Sequence, residues 1–333
     1  MPVFRKPHVS RRSMLQLGLF TGGAVLAAPF VLRAASGPAR AEAPLLGTAR
    51  PAFNRFKLGA FEITTVFDGG MALDGPHPIF GQDQPAGAVE ALAAENHLPP
   101  KRMEIGFTPV IVNTGNELIV FDTGNGAGRR PAAGNFSAAL RAAGYRPEQV
   151  DTVVITHMHP DHIGGIMENG GPLFPNARYV TGAREYDFWS SDDRLSGPTE
   201  GAARLVRSNV MPHADKMTFL QPESDVATGI TAVEAYGHTP GHMAYHLESE
   251  GKRLLLWADT ANHFVVSIQK PDWHVRFDMD KEQAGQTRKR LFDMVAAERI
   301  PVAGYHMPFP AVGHIEKQGG GYRWVQAAYE LYL

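Results

Sequence analysis

A single-domain, layered α/β fold is what three observations predict. Short apolar runs of strand length alternate along the chain with longer stretches of helical periodicity. Histidines and aspartates stand directly behind several of those runs, at the strand ends where the loops of a layered protein gather. The 333 residues are 44% hydrophobic and carry a formal charge of -2, without a solenoid-length repeat. That balance supplies a sizeable core and excludes the broad basic face of a nucleic-acid binder. Cysteine is absent, so disulfides, thiolate ligands and a cysteine nucleophile drop out together. Any metal must then be held by His, Asp or Glu.

Taken in order, residues 1–41 are expected to be a twin-arginine leader. Arg11 and Arg12 precede a weakly apolar run to Leu32, and Ala39-Arg40-Ala41 has small residues at the spacing of a cleavage site. Gly18, Gly22, Gly23 and Pro29 make that run a poor membrane span. Residues 42–333 are expected to be the mature domain, periplasmic and with no stable membrane attachment. Within it, residues 61–67, 108–114 and 117–122 read as strands, the last two joined as a hairpin at Gly115-Asn116. The segment 71–100, rich in Pro, Gly and Ala, reads as an excursion. Asn135 is expected to cap a short helix ending at Gly144. Strands follow at 149–156 and 177–182, helices around 183–190 and 200–211, and a strand pair at 229–236 and 243–249. Residues 253–259 are apolar on both faces, as a central buried strand would be. A helix over 280–298 leads to the closing strands at 300–306 and 321–327.

The stretch VVITHMHPDHIGG, residues 153–165, sets His157, His159, Asp161 and His162 in the spacing H-x-H-x-D-H. Residues two apart diverge on a helix, and helical zinc sites use histidines four apart, so the motif is expected on looped or extended backbone. Pro160 and the Gly164-Gly165 pair would bend that loop. His157 and His159 can share one metal while Asp161 and His162 turn to a second. His238, Asp259 and His306 each stand behind an apolar run and can complete the two sets. Without a cation, four such side chains in six residues would repel or remain unsatisfied. His8, His77, His97 and His213 read as ordinary polar side chains; among the others, His242 and His263 are candidates to line the site.

The motif, together with FDTG at 121–124, GHTPGH at 237–242, Asp259 and His306 in that order, resembles the metallo-β-lactamase superfamily. FPNA at 174–177, DFW at 187–189, HMPFP at 306–310 and GYRW at 321–324 resemble its methyl parathion hydrolase branch. The resemblance implies an αββα sandwich with two divalent metal ions at one edge. His157, His159 and His238 would hold the first, Asp161, His162 and His306 the second, and Asp259 would bridge them. Asp122 would brace the histidine loop rather than bind metal. Trp189 matches an aromatic residue of that branch's substrate pocket, and Phe264, His263 and Trp273 are further candidates for its wall. Residues 124–136 depart from the branch.

Imidazole and carboxylate ligands suit zinc, and His159 replaces the glutamate of the redox di-iron relatives. The expected function is therefore dinuclear zinc hydrolysis by a hydroxide held between the metals, on lactones, esters and aryl phosphotriesters. Asp161 would help to orient the nucleophile as well as bind metal. The alternatives are an N-acyl homoserine lactonase or a β-lactamase of the same fold, and, outside enzymes, a periplasmic zinc-binding protein. A small neutral substrate and no nucleic acid are expected, with no arginine placed at the site; a homodimer stays open.

Overall fold

Strand residues with no polar atom to give to water must be covered on both faces, and LIVF at Leu118–Phe121 is buried at all four positions. The computed structural model describes residues 44, 45, 47 and 49–328, so the expected leader at 1–41 lies outside the described residues. In chain order the first half gives β1 (Phe53–Leu58), β2 (Phe61–Val66), β3 (Gly69–Asp74), α1 (Ala86–Glu95), β4 (Arg102–Phe107), β5 (Val110–Asn113) and β6 (Leu118–Phe121). Next come α2 (Phe136–Ala142), β7 (Thr152–Ile155), the single turn α3 (Pro160–Ile163), the short pair β8 (Met167–Glu168) and β9 (Gly171–Pro172), β10 (Arg178–Gly182), α4 (Ala183–Ser190), α5 (Glu200–Asn209) and β11 (Met217–Leu220). The second half gives β12 (Asp225–Ala227), β13 (Ile230–Glu234), β14 (Met243–Ser249), β15 (Lys252–Ala258), α6 (Val266–Gln269), α7 (Lys281–Glu298), β16 (Val302–Gly304), β17 (Val312–Gln318) and β18 (Gly321–Gln326).

Among the described residues two seven-stranded sheets form, in the orders β1-β2-β5-β6-β7-β10-β11 and β12-β13-β14-β15-β16-β17-β18. In the first, β6, β7, β10 and β11 run parallel. In the second only β15 and β16 do. The inner faces pack on each other through residues such as Ile63, Val112, Phe121 and Val154 from one sheet and Tyr245, Leu254, Leu256 and Val312 from the other. Helices α2 and α5 cover the outer face of the first sheet through Leu140 and Val206, over Val120 and Val153. Helix α7 covers the second through Leu291, Phe292 and Val295. The result is the expected αββα sandwich.

The pleat explains the doubly apolar sequence of β15. Leu254 and Leu256 enter the core between the sheets, while Leu255 and Trp257 lie under α7. This strand sits at the middle of its sheet, as its composition predicted. Two expectations need correction, and a third gains detail. Asn135 precedes α2 but makes no side-chain cap; Asp68 Oδ1 accepts the Phe136 N–H instead, at 2.7 Å, because that carboxylate already organises the loop before the helix. The segment 71–100 belongs to the expected excursion from the two large sheets, and an ordered one, since β3 pairs antiparallel with β4 and α1 packs over the connection. The histidine motif is looped only in its first half: Pro160 occupies the first helical position of α3, where its missing N–H costs nothing.

Candidate metal centre and cavity

Four chain segments carry the candidate ligands to one edge of the sandwich, each just beyond a strand. His157 and His159 follow β7, and α3 presents Asp161 and His162. His238 follows β13, Asp259 follows β15, and His306 follows β16. Backbone contacts fix these loops. The His162 carbonyl accepts from the Thr123 N–H at 2.8 Å, and Gly165 N–H donates to the Gly124 carbonyl at 3.1 Å. Gly126, at φ +72°, passes so close that a Cβ would stand 2.2 Å from the Gly164 oxygen. Only glycine fits that crossing.

Two sets of side chains converge here, each with ligand atoms within 4.8 Å of one another: His157, His159, His238 and Asp259, and Asp161, His162, His306 and Asp259. Asp259 belongs to both. Its Oδ2 lies 3.2 Å from His238 Nε2 and 3.1 Å from His306 Nε2, and its Oδ1 lies 3.2 Å from His162 Nε2. The Asp161 carboxylate stands 3.5 Å from both His162 Nε2 and His306 Nε2. All seven sequence-predicted ligands are therefore brought together.

What holds the imidazoles also fixes which nitrogen faces inward. His162 Nδ1 donates to Asp122 Oδ2 at 2.8 Å, His238 Nδ1 to Asp278 Oδ1 at 2.9 Å, and His306 Nδ1 to the Gly106 carbonyl at 2.8 Å. Thr156 donates its hydroxyl to Asp122 at 2.8 Å and so can accept from His157 Nδ1 at 3.2 Å. Four Nε2 atoms are thereby turned inward as acceptors; His159 Nδ1 stands 3.2 Å from that of His157 and 2.9 Å from that of His238 and could give a proton to one of them at most. His162 Nε2 and Asp259 Oδ1 are buried without a hydrogen-bond partner. Inward-facing lone pairs and carboxylates that only accept are the arrangement that divalent cations satisfy and that an apolar or neutral ligand would not. The donor set thus fits two divalent metal ions, with Asp259 between them.

The electrostatics agree. Burial drives His157 well below the ordinary histidine range and His159 down to about 3. Burial also opposes protonation of His162 and His238, yet the facing carboxylates hold His162 well above its ordinary value and His238 up at about 9. Asp259, which burial alone would raise, is held well below the carboxylate range by His306, His162 and His157. These groups compete for positive charge, and two divalent cations supply it to all of them together.

Several supports carried no visible signal in the sequence, and one, His242, was visible there in a different role. Glu185 is fully buried and accepts from Met158 N–H, Trp189 Nε1–H, Thr239 O–H and Gly241 N–H at 2.7–2.9 Å. It ties the loop of His157 and His159 to the loop of His238. His242 donates Nδ1–H to the Ala235 carbonyl at 2.8 Å and accepts the Asp259 N–H at 3.1 Å, so it holds the bridging aspartate from behind and does not line the site. Asp278 is in turn held by buried Arg288 at 2.6 Å. Tyr305 donates its hydroxyl to the Asp161 carbonyl at 2.6 Å, and its ring lies 3.9 Å from that of His162. A lone Asp, Glu or Tyr in a sequence looks the same whether it braces a ligand or faces water.

Above the ligands opens a cavity of about 380 Å³ whose wall is largely Met71, Leu73, Ile105, Phe107 and Phe277, with His159, Asp161, Asp259 and His306 at its floor. The β3–β4 hairpin, unforeseen in the sequence, supplies four of those five wall residues. The pocket candidates chosen from sequence lie elsewhere. Trp189 is 2% exposed and belongs to the core outside the first sheet, because its position one turn after Glu185 gives its indole N–H to that carboxylate. It stands behind His159 at 6.1 Å between ring centroids, propping the ligand instead of touching substrate. His263 is buried, its Nδ1 accepting the N–H groups of Val265 and Val266. Phe264 stacks on His263 and faces a separate hollow on the other side of β4, beside Glu104 and Gly106; the pleat sends Ile105 and Phe107 to the cavity and their neighbours away. Trp273 packs beside Phe80 and Val89 in the cluster under α1. No arginine could be placed at the site from the sequence; the structure brings Arg129 and Arg276 to the cavity.

With this geometry, comparison with known proteins gives consistent results. A family model described as Metallo-beta-lactamase superfamily matches residues 108–303. An N-acyl homoserine lactonase of Bacillus cereus is 25% identical over 182 residues, 54% of this chain and 62% of that protein. The N-acyl homoserine lactonase AttM of Azorhizobium caulinodans is 31% identical over 132 residues, 37% of this chain and 46% of that protein. Each of these curated relatives is thus matched over less than two thirds of its own length. Among solved structures, the hydrolase AbOPH in the beta lactamase superfamily is 27% identical with a TM-score of 0.78, covering 84% of this chain and 99% of that one. A dizinc quorum-quenching lactonase, AidC, superposes with a TM-score of 0.76 at 23% identity over 83% of this chain and 98% of that one, which speaks for the fold. Fold, ligand geometry and the match across 108–303 together establish that the chain belongs to the metallo-β-lactamase superfamily.

Proposed function

We propose that this protein is a dinuclear zinc hydrolase that opens lactones, with N-acyl homoserine lactones as the favoured class, and that it acts in the periplasm after export by its leader. The observation that carries the reading is the sharing of the Asp259 carboxylate between two histidine sets at the floor of an apolar-walled cavity. Zinc is favoured by the imidazole-rich, sulfur-free donor set. When bound, such a pair supplies Lewis acidity, polarising a carbonyl and making water acidic enough to attack near neutral pH.

The chain's own residues account for the rest. Asp161, whose side chain is 23% exposed and lines the cavity floor, can accept a proton from attacking water there. Met71, Leu73 and Phe107 offer an acyl chain an apolar surface and exclude water from the reacting centre. The lactonase relatives support the lactone over the phosphotriester. So does Trp189, whose burial removes the residue on which the phosphotriesterase likeness leaned. The test is kcat/KM of the zinc-loaded protein for N-hexanoyl homoserine lactone, a dialkyl aryl phosphotriester, a thioester and a β-lactam under one set of conditions. The lactone should lead. A lead of about ten-fold by any of the others, equivalent to about 1.4 kcal/mol of transition-state preference, overturns the reading.

A further inference from the structure

The cavity wall is apolar except at two places. Arg129 and Arg276 reach it from different elements, and neither has a carboxylate partner within ion-pair distance among the described residues. Arg130, the next residue in the chain, is taken up by Glu168, and Arg288, beyond Arg276, by Asp278. The two free guanidiniums are nevertheless placed. The Arg276 guanidinium lies 5.3 Å over the Phe277 ring, and the backbone of that residue is fixed by its amide N–H, which donates to the Ile79 carbonyl at 2.8 Å. Arg129 Nη1 rests 3.6 Å from Met71 Sδ, in the loop organised by Asp68. The acidic side chains lining the cavity are Asp161 and Asp259, and both are turned to the histidines. Beyond that floor, the charge offered to a substrate is therefore positive.

We propose that, within the lactones and esters so opened, an acyl chain ending in a carboxylate is preferred over one ending in a methyl group, and that Arg129 and Arg276 read that carboxylate while the ester or lactone carbonyl lies at the cavity floor. This deepens the hydrolase reading and rests on it. A guanidinium against an apolar surface binds carboxylate through paired N–H bonds, and low-dielectric walls strengthen that contact. The apolar side chains between rim and floor fit the methylene chain joining the two polar ends.

The test compares 4-nitrophenyl hexanoate with the mono-4-nitrophenyl ester of adipic acid, which share a leaving group and acyl length and differ in the terminal carboxylate. The quantity read is the ratio of kcat/KM, adipate over hexanoate, in the wild type, in Arg129→Gln, in Arg276→Gln and in the double variant. The wild-type ratio should exceed one, and the double variant should lower it by about ten-fold or more, the effect of losing a hydrogen bond to a charged group. Calorimetric binding of adipate itself should weaken in the same order. A ratio unchanged by the double substitution, with both esters turned over, overturns the proposal and leaves the hydrolase intact. Failure to hydrolyse any ester or lactone defeats the hydrolase reading instead, and equal adipate binding by wild type and double variant then removes the carboxylate site as well.

Discussion

Asp259 takes its importance from what its two oxygens face. Histidines of both sets lie 3.1–3.2 Å from them, and its N–H is pinned by His242. It leaves the sheet just after Ala258, whose φ of 47° and bulged pairing with β16 turn the next carboxylate inward. Removing it takes one ligand from both cations at once. Protein purified without chelator should carry about two equivalents of divalent metal. Asp259→Ala should hold one or fewer by elemental analysis and lose more than about 100-fold in kcat/KM, since even partners outside the ligand set cost 10–100-fold. Full metal content and activity in that variant would remove the dinuclear centre. The ligands were readable because their type and spacing are improbable in any other role. Glu185 and Asp278 were not, and His242 was noticed but not its role, because their meaning lies in contacts across 27 or more residues or in a buried backbone amide.

Elements were readable where their pattern had one solution. Strand β15 is apolar at every position facing either layer, and α7 begins at Asp280, whose side chain accepts the Gln283 N–H at 2.9 Å. Strand β1 was missed because Arg55 and Lys57 alternate with Phe56 and Leu58 over only six residues. β4 escaped because Arg102 and Glu104 mask the inward Ile105 and Phe107. His263 shows how an element can recruit a residue that a sequence assigns to a site. Its imidazole caps the start of α6, and burial pushes its pKa down to about 4. The unfolded chain, with a value of about 6.5, therefore takes the proton first as pH falls. The stability this residue contributes is complete above that value and is lost as pH drops towards 4. His263→Asn can keep the two accepted hydrogen bonds through Oδ1 while removing the titration. Urea unfolding at pH 7 and pH 5 should show the variant losing about 2 kcal/mol less than the wild type over that interval; equal losses would mean that His263 is not held neutral. Titration of the seven ligands is common to both proteins and cancels in the difference.

At the scale of the whole molecule, the two sheets meet at an edge where loops from both deliver ligands spread from residue 157 to residue 306. The layered class was legible because strand and helix periods alternate, but the cavity wall was not: apolar residues of a hairpin read the same whether they fill a core or border a cavity. A site assembled from such distant parts exists only after folding, so metal capture and folding are coupled. That coupling bears on the proposed leader, which lies outside the described residues. An exporter that passes an unfolded chain would have to release it with no site, to find its cations outside the cytoplasm. The twin-arginine route carries folded protein, and in the proposed reading Arg11-Arg12 ahead of a weakly apolar run is the signal for it. Replacing both arginines with lysine keeps the charge and removes the guanidinium pair. The substituted precursor should accumulate untrimmed in the cytoplasm, seen by immunoblot of separated fractions, yet carry the same metal complement and lactone activity as the exported wild type. If it instead reaches the periplasm and is trimmed at the normal rate, residues 1–41 work through another route. If it stays behind without metal, loading does not precede export.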